Sequence, residues 1–168
     1  MKAKKISLVI LTILVAGLVG AEAEEGPASS SEQAWIAPEQ VTPARLKAVF
    51  EKKRWTVKEE KNGLAVGDSL DRVVMVQIYP DKELICLAMW FKFQRSALNY
   101  QKLRFINEIN REVVFTRAQI DEDGDLRFDY WLRYDQGLSE EQLLSAFNYF
   151  LDSSIAALRL KDTRDLIK

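Results

Sequence analysis

The chain has 168 residues, 24 basic and 25 acidic side chains, and no histidine. Without histidine, the usual neutral-pH base, the commonest metal ligand and every Ser-His or Cys-His nucleophile scheme are excluded. The nearly balanced charge offers no electrostatic footprint for a nucleic acid.

The chain opens with "MKAKK", the apolar run "ISLVILTILVAGLV" and then "AEA". This order of basic, apolar and small-x-small segments predicts an export signal over residues 1–23, cleaved after Ala23 or after Ala21. The apolar run of 14 residues is short of the roughly 20 needed to span a bilayer. No cysteine stands at the end of the run, so no lipid anchor is expected. Cleavage after Ala23 leaves 145 residues with a net charge of −3, enough for one domain with a real core. Such a chain is expected to be periplasmic or secreted, without a stable membrane anchor. Cys86 is the only cysteine, which rules out an internal disulfide; its apolar surroundings predict a buried, inert thiol.

Residues 24–41, rich in Ser, Ala, Glu and Pro, read as a flexible leader with Trp35 and Ile36 as a local anchor. The domain is expected over 42–161, with a tail over 162–168. Thr42 followed by Pro43 is a helix start, and Leu46, Val49 and Phe50 form one stripe behind it. "WTVKEE" and "LAVG" predict two short strands, joined at Asn62-Gly63 by a left-handed turn. "RVVMVQIY" alternates, with Val74, Val76 and Ile78 on one face. "LICLAMWFKF" is apolar on both faces: Ile85, Leu87, Met89, Phe91 and Phe93 on one, Leu84, Cys86, Ala88 and Trp90 on the other. A strand of that kind belongs in the centre of a sheet, covered at least in part on both sides.

"SALNYQKLRFINEIN" predicts a helix capped by Ser96, with Leu98, Leu103, Phe105, Ile106 and Ile109 in one apolar arc. "EVVFTRAQI" and "LRFDYWLRY" predict two alternating strands; in the second, Trp131 points away from the face shared by Leu126, Phe128, Tyr130, Leu132 and Tyr134. The last helix is the best specified. Ser139 and Gln142 form a capping box, Leu138 can staple onto Leu143, and the apolar residues from Leu143 to Leu158 keep helical period. The order of elements predicts an α+β domain with a largely antiparallel sheet and helices on one face.

The stretch "IDEDGDLRFDY" looks at first like a calcium loop. Placing Gly124 at loop position 6 puts Gln119 at position 1 and Tyr130 at position 12, so the bidentate glutamate is missing. Asp123-Gly124 between two alternating segments instead predicts a type I′ hairpin turn with a solvated acidic tip, Asp129 included on the polar side of its strand. Asn107 and Asn110, one turn apart, are expected to bond nearby backbone. No catalytic residue, metal site or cofactor site is expected, since no phosphate-binding loop or nucleophile motif is present.

The aromatic residues carry the functional reading. Trp90 and Trp131, with Leu84, Ala88 and Cys86 near them, project from the sheet face opposite the helices. Fully covering both indoles could contribute up to about 10 kcal/mol before association costs. Either a partner covers this face, or the leader with Trp35 or the opening helix folds over it.

"LAMWFKF", "INEIN", "DEDGDLRFDYWL" and "GLSEEQLLSAFNYFLDSS" occur in this order between about Pro43 and Leu158. On these segments the chain resembles the YbjN-type family of bacterial sensory-transduction regulators. The resemblance implies a fold like that of type III secretion chaperones, which pair through their sheets, and a regulatory or protein-binding role without catalysis. It carries over no active site; Asn107, Asn110, Asp123, Gly124, Gly137 and Leu138 match the family pattern as structural positions. An export signal departs from a family whose members are often cytosolic. The reading is an exported, non-enzymatic module binding a protein partner, or itself as a homodimer, through Trp90, Trp131, Ala88 and Leu84. The alternative is a periplasmic small-ligand or lipid-binding protein with a pocket between sheet and helices; a carboxylate hydrolase is the third.

Overall fold

The computed structural model describes residues 34–68, 72–159 and 166–168, all within one unit spanning Glu32–Lys168. The expected export signal, the first part of the leader and residues 162–165 of the tail lie outside the described residues. In chain order the elements are β1 (Trp35–Ile36), α1 (Pro43–Lys52), β2 (Thr56–Glu60), β3 (Gly63–Gly67), β4 (Val73–Tyr79) and β5 (Leu84–Phe91). They continue as α2 (Asn99–Glu112), β6 (Arg117–Ile120), β7 (Leu126–Arg133), β8 (Leu138–Ser139) and α3 (Glu140–Arg159). Among the described residues no helix is long and apolar enough to cross a membrane.

Six strands form one antiparallel sheet in the order β2-β3-β4-β5-β7-β6. The strand that is apolar on both faces, β5, sits inside it between β4 and β7, as its composition predicts. One face carries Val74, Val76, Ile85, Leu87, Met89 and Phe128 into a core shared with α1, α2 and α3. Leu46, Val49 and Phe50 enter it from α1, Phe105, Ile106 and Ile109 from α2, and Leu143, Phe147 and Phe150 from α3. The Phe50 and Phe147 rings meet at 4.8 Å between centroids, fixing α1 against α3. Arg45 and Lys52 of α1 both pair with Glu140 at the start of α3, at 2.8 and 3.0 Å. A carboxylate there also faces the positive end of the helix dipole.

Helix starts follow local chemistry. Thr42 accepts the Arg45 amide at 3.2 Å, with Pro43 at the first helical position. Ser139 Oγ accepts the Gln142 amide at 3.0 Å, and Gln142 Oε1 accepts the Ser139 amide at 2.8 Å, completing the capping box. α2 does not start on Ser96. The Ala97 amide is taken by the Gln94 carbonyl in a preceding turn, and Gln101 Oε1 accepts the Leu98 amide instead. The helix therefore begins at Asn99, and Leu98 and Leu103 stand exposed, outside the expected apolar arc.

Three further expectations are corrected. The first hairpin turns on Lys61 and Asn62, because Gly63 already pairs with Glu60. Glycine is required at 63 for another reason: a Cβ there would lie 2.0 Å from the Val76 carbonyl oxygen of the neighbouring strand. At the acidic hairpin only Gly124 has positive φ, +82°, so the turn is not type I′. The Gly124 amide bonds the Asp121 carbonyl and the Asp121 amide bonds the Asp125 carbonyl, which is a three-residue loop closed by a left-handed glycine. The Asp121 carboxylate accepts the amides of Asp123 and Asp125 at 3.1 and 2.8 Å. Finally, β6 starts at Arg117 and not near Glu112, because α2 runs on to Glu112 and the chain then bends through Phe115 at φ +66°. Asn110 ties these parts together: its amide side chain donates to the Ala118 carbonyl and accepts the Ala118 amide, at 3.0 and 2.8 Å.

The described part of the segment read as a flexible leader, Ala34 to Val41, is held in the fold. Trp35 and Ile36 pair with Ser139 and Leu138, and Ile36 is fully buried.

Candidate protein-binding face

On the sheet face away from the helical core, strand register sets four rows. Leu84 lies opposite Arg133, Cys86 opposite Trp131, Ala88 opposite Asp129 and Trp90 opposite Arg127. From β4, Tyr79, Gln77 and Met75 stand beside Leu84, Cys86 and Ala88. From β6, Arg117 and Gln119 stand beside Asp129 and Arg127. Cys86 and Ala88 are buried yet lie outside the core cluster, and at the Tyr79 end the Lys82 ammonium lies 5.9 Å from the Tyr79 ring centroid.

The four residues expected to bind a partner fare differently. Trp90 and Trp131 are 40% and 41% exposed, so both indoles reach water on the helix-free side. Leu84 is half-buried, and Ala88 is fully buried. Ala88 therefore shapes the face without offering contact surface. Trp35 lies elsewhere, beside Gly137 and the Tyr130–Leu132 side of β7, and does not cover the indoles.

The indoles do not form one apolar patch. Two register steps separate the Trp131 row from the Trp90 row, about 13 Å along the strands. Each ring has its own support. Trp131 packs on Tyr79 with centroids 5.4 Å apart, and the Arg127 guanidinium lies 5.2 Å from the Trp90 centroid. With more than half of each ring already covered, roughly 100 Å² per indole remains, or about 5 kcal/mol for the pair.

Between the indoles lies a charge network whose identity depends on register. Asp129, expected on the solvated side, is buried at 1% exposure. Its carboxylate accepts Arg117 Nε and Nη2 at 3.2 and 3.0 Å and Gln119 Nε2 at 2.8 Å. Arg127 Nε stands 3.7 Å away, buried and without a hydrogen bond of its own. Arg127 Nη2 points at Cys86 Sγ, 3.7 Å distant. Burial pushes the Cys86 thiol up to about 11, against the opposing pull of the Arg127 charge. Arg117, Gln119, Arg127, Asp129 and Tyr79 were not among the expected binding residues. Arg127 and Asp129 share the alternation of Trp131; that they meet Arg117 depends on pairing β6 to β7.

Rigid aromatic and arginine side chains on an open sheet face are the equipment of protein recognition. The chain belongs to the YbjN family, "Putative bacterial sensory transduction regulator", whose pattern matches residues 42–158. The solved structure of YbjN from E. coli superimposes with a TM-score of 0.63 at 14% identity, covering 74% of this chain and 94% of that one. An uncharacterized protein from Methanothermobacter thermautotrophicus gives 0.54 at 15% identity, covering 70% and 94%. The Yersinia pestis type III secretion chaperone SycH, solved with a fragment of YscM2, gives 0.48 at 17% identity, covering 68% and 98%. At these identities the likeness to the first two is one of fold. No curated protein matches the chain in sequence.

Proposed function

We propose that this chain is a non-enzymatic regulatory module that captures a protein, a second copy of itself included, on the sheet face bearing Trp90 and Trp131. The observation that carries the reading is the pair of part-exposed indoles, each held by a ring or guanidinium neighbour, on the sheet face opposite the helical core. Side chains fixed before binding lose little conformational entropy when a partner arrives. Family membership supports a regulatory role. The basic, apolar and small-x-small order of residues 1–23 supports a location outside the cytoplasm.

Trp131→Glu should turn an oligomer into a monomer in size-exclusion chromatography with light scattering, or abolish capture of a crosslinked partner, with circular dichroism unchanged. Unaltered mass and unaltered capture would remove the outer face from consideration. Sequencing the N-terminus of the native protein checks the export reading, with Glu24 or Glu22 expected first.

A further inference from the structure

The sheet is incomplete at one place. β6 begins at Arg117, opposite Asp129, while β7 continues through Tyr130, Trp131, Leu132 and Arg133. Those four residues pair with β5 on one side and, among the described residues, with no strand on the other. An open stretch of backbone donors and acceptors about 13 Å long is a template for another strand.

The chain is held away from this edge. Phe115 takes a left-handed backbone at φ +66°, a conformation rare for a bulky side chain. The Tyr149 hydroxyl donates to the Val114 carbonyl at 2.7 Å, and the Thr116 and Ser153 hydroxyls are 2.7 Å apart. Both bonds draw the segment before β6 toward α3 and off the path that β6 would follow along β7. The bend leaves Phe115 77% exposed at the mouth of a groove of about 740 Å³. Tyr130 and Leu132 line it from the sheet, and Trp35, Phe115 and Tyr149 line it with their rings.

We propose that this edge is a peptide-binding site, taking an extended segment of a protein partner that adds as a strand beside Tyr130–Arg133. Side chains alternate across a strand, so every second residue of the segment enters the aromatic groove and the others face outward. Those others meet Trp131 between Arg117 and Arg133. The side chains of these arginines are 60% and 72% exposed although each already pairs with an aspartate. A guanidinium carries five N–H donors, more than one aspartate takes from it, and Arg117 and Arg133 expose the remainder at this edge. Those donors select acidic residues at the outward positions, so the segment recognised alternates apolar and acidic side chains.

The site shares Trp131 with the indole face but not Trp90, so Trp90→Glu separates failure of one reading from failure of the other. A capped nine-residue peptide alternating valine and glutamate is the probe, titrated into the full chain and followed by calorimetry and amide hydrogen exchange. Expected are saturable binding and new protection confined to the Trp131 and Arg133 amides, the two that point to the open side. Phe115→Ala should weaken binding about tenfold, and Trp90→Glu should leave it unchanged. Backbone N-methylation of alternate residues should abolish it for the register that needs those donors. The proposal is overturned by absence of binding, by equal affinity for the lysine version, or by protection at Trp90 instead of the edge. A lipid or other small molecule found in the groove by native mass spectrometry would overturn it as well.

Discussion

Asp129 shows how a single side chain acquires its role from register. Its carboxylate is out of water, and Arg117 and Gln119 supply the hydrogen bonds that make this tolerable. Asp129→Ala removes the carboxylate beside the buried Arg127 Nε and should cost about 1–3 kcal/mol, read as a lower urea midpoint. An unshifted midpoint would mean the network contributes nothing. Cys86 gives a pH prediction with a definite sign. Its thiol moves from an ordinary 9.0 to about 11 on folding. Between those values the native state keeps a proton that the unfolded chain has lost, so stability falls as pH rises from about 9 to about 11 and is unaffected below. Tyr134, raised by burial and then by Glu83, acts in the same direction. Urea unfolding at pH 8 and pH 10.5 should show the loss, and Cys86→Ser should reduce it. Burial of Cys86 was legible in its apolar run. The Arg127 beside it was not, because that contact joins residues 41 positions apart.

At the level of elements, caps and clamps divide by reach. The Ser139–Gln142 box closes within four residues, and its worth depends little on the rest of the fold. Ser139→Ala should cost about 1 kcal/mol by thermal or chemical unfolding. Asn110 reaches eight residues ahead to complete both backbone bonds of Ala118. It thereby occupies the outer edge of β6, which would otherwise be open to pairing. Asn110→Ala should cost about 1–3 kcal/mol and speed exchange of the Ala118 amide; slow exchange in the variant would show that another group covers that edge. The expected structural use of Asn110 is what the fold contains. The expected Ser96 cap is not, since a turn reaching back to Gln94 uses the amide that would have followed it. Period-2 patterning likewise placed β5 and β7, whereas the start of β6 depended on a left-handed Phe115 that propensity disfavours.

For the whole molecule, the sheet offers an indole face and an open edge that meet at Trp131. About 5 kcal/mol from the remaining indole area falls short of the roughly 8 kcal/mol of a micromolar complex. A partner on that face must therefore also engage Arg127 or Arg133, and raising salt from about 50 to about 500 mM should weaken it several-fold. Affinity that ignores salt would exclude the arginines. The sequence by itself determined the order of the three helices and six sheet strands, the apolar faces of α1 and α3, the central place of the doubly apolar strand and the outward direction of both indoles. These follow from periodicity, which is local. Only the tertiary structure decided that the indoles stand apart, that Asp129 is buried among arginines, that Ala88 is inaccessible, and that β7 outruns its neighbour. Those outcomes depend on which strands pair and in what register, and that is fixed by contacts between residues far apart in the chain.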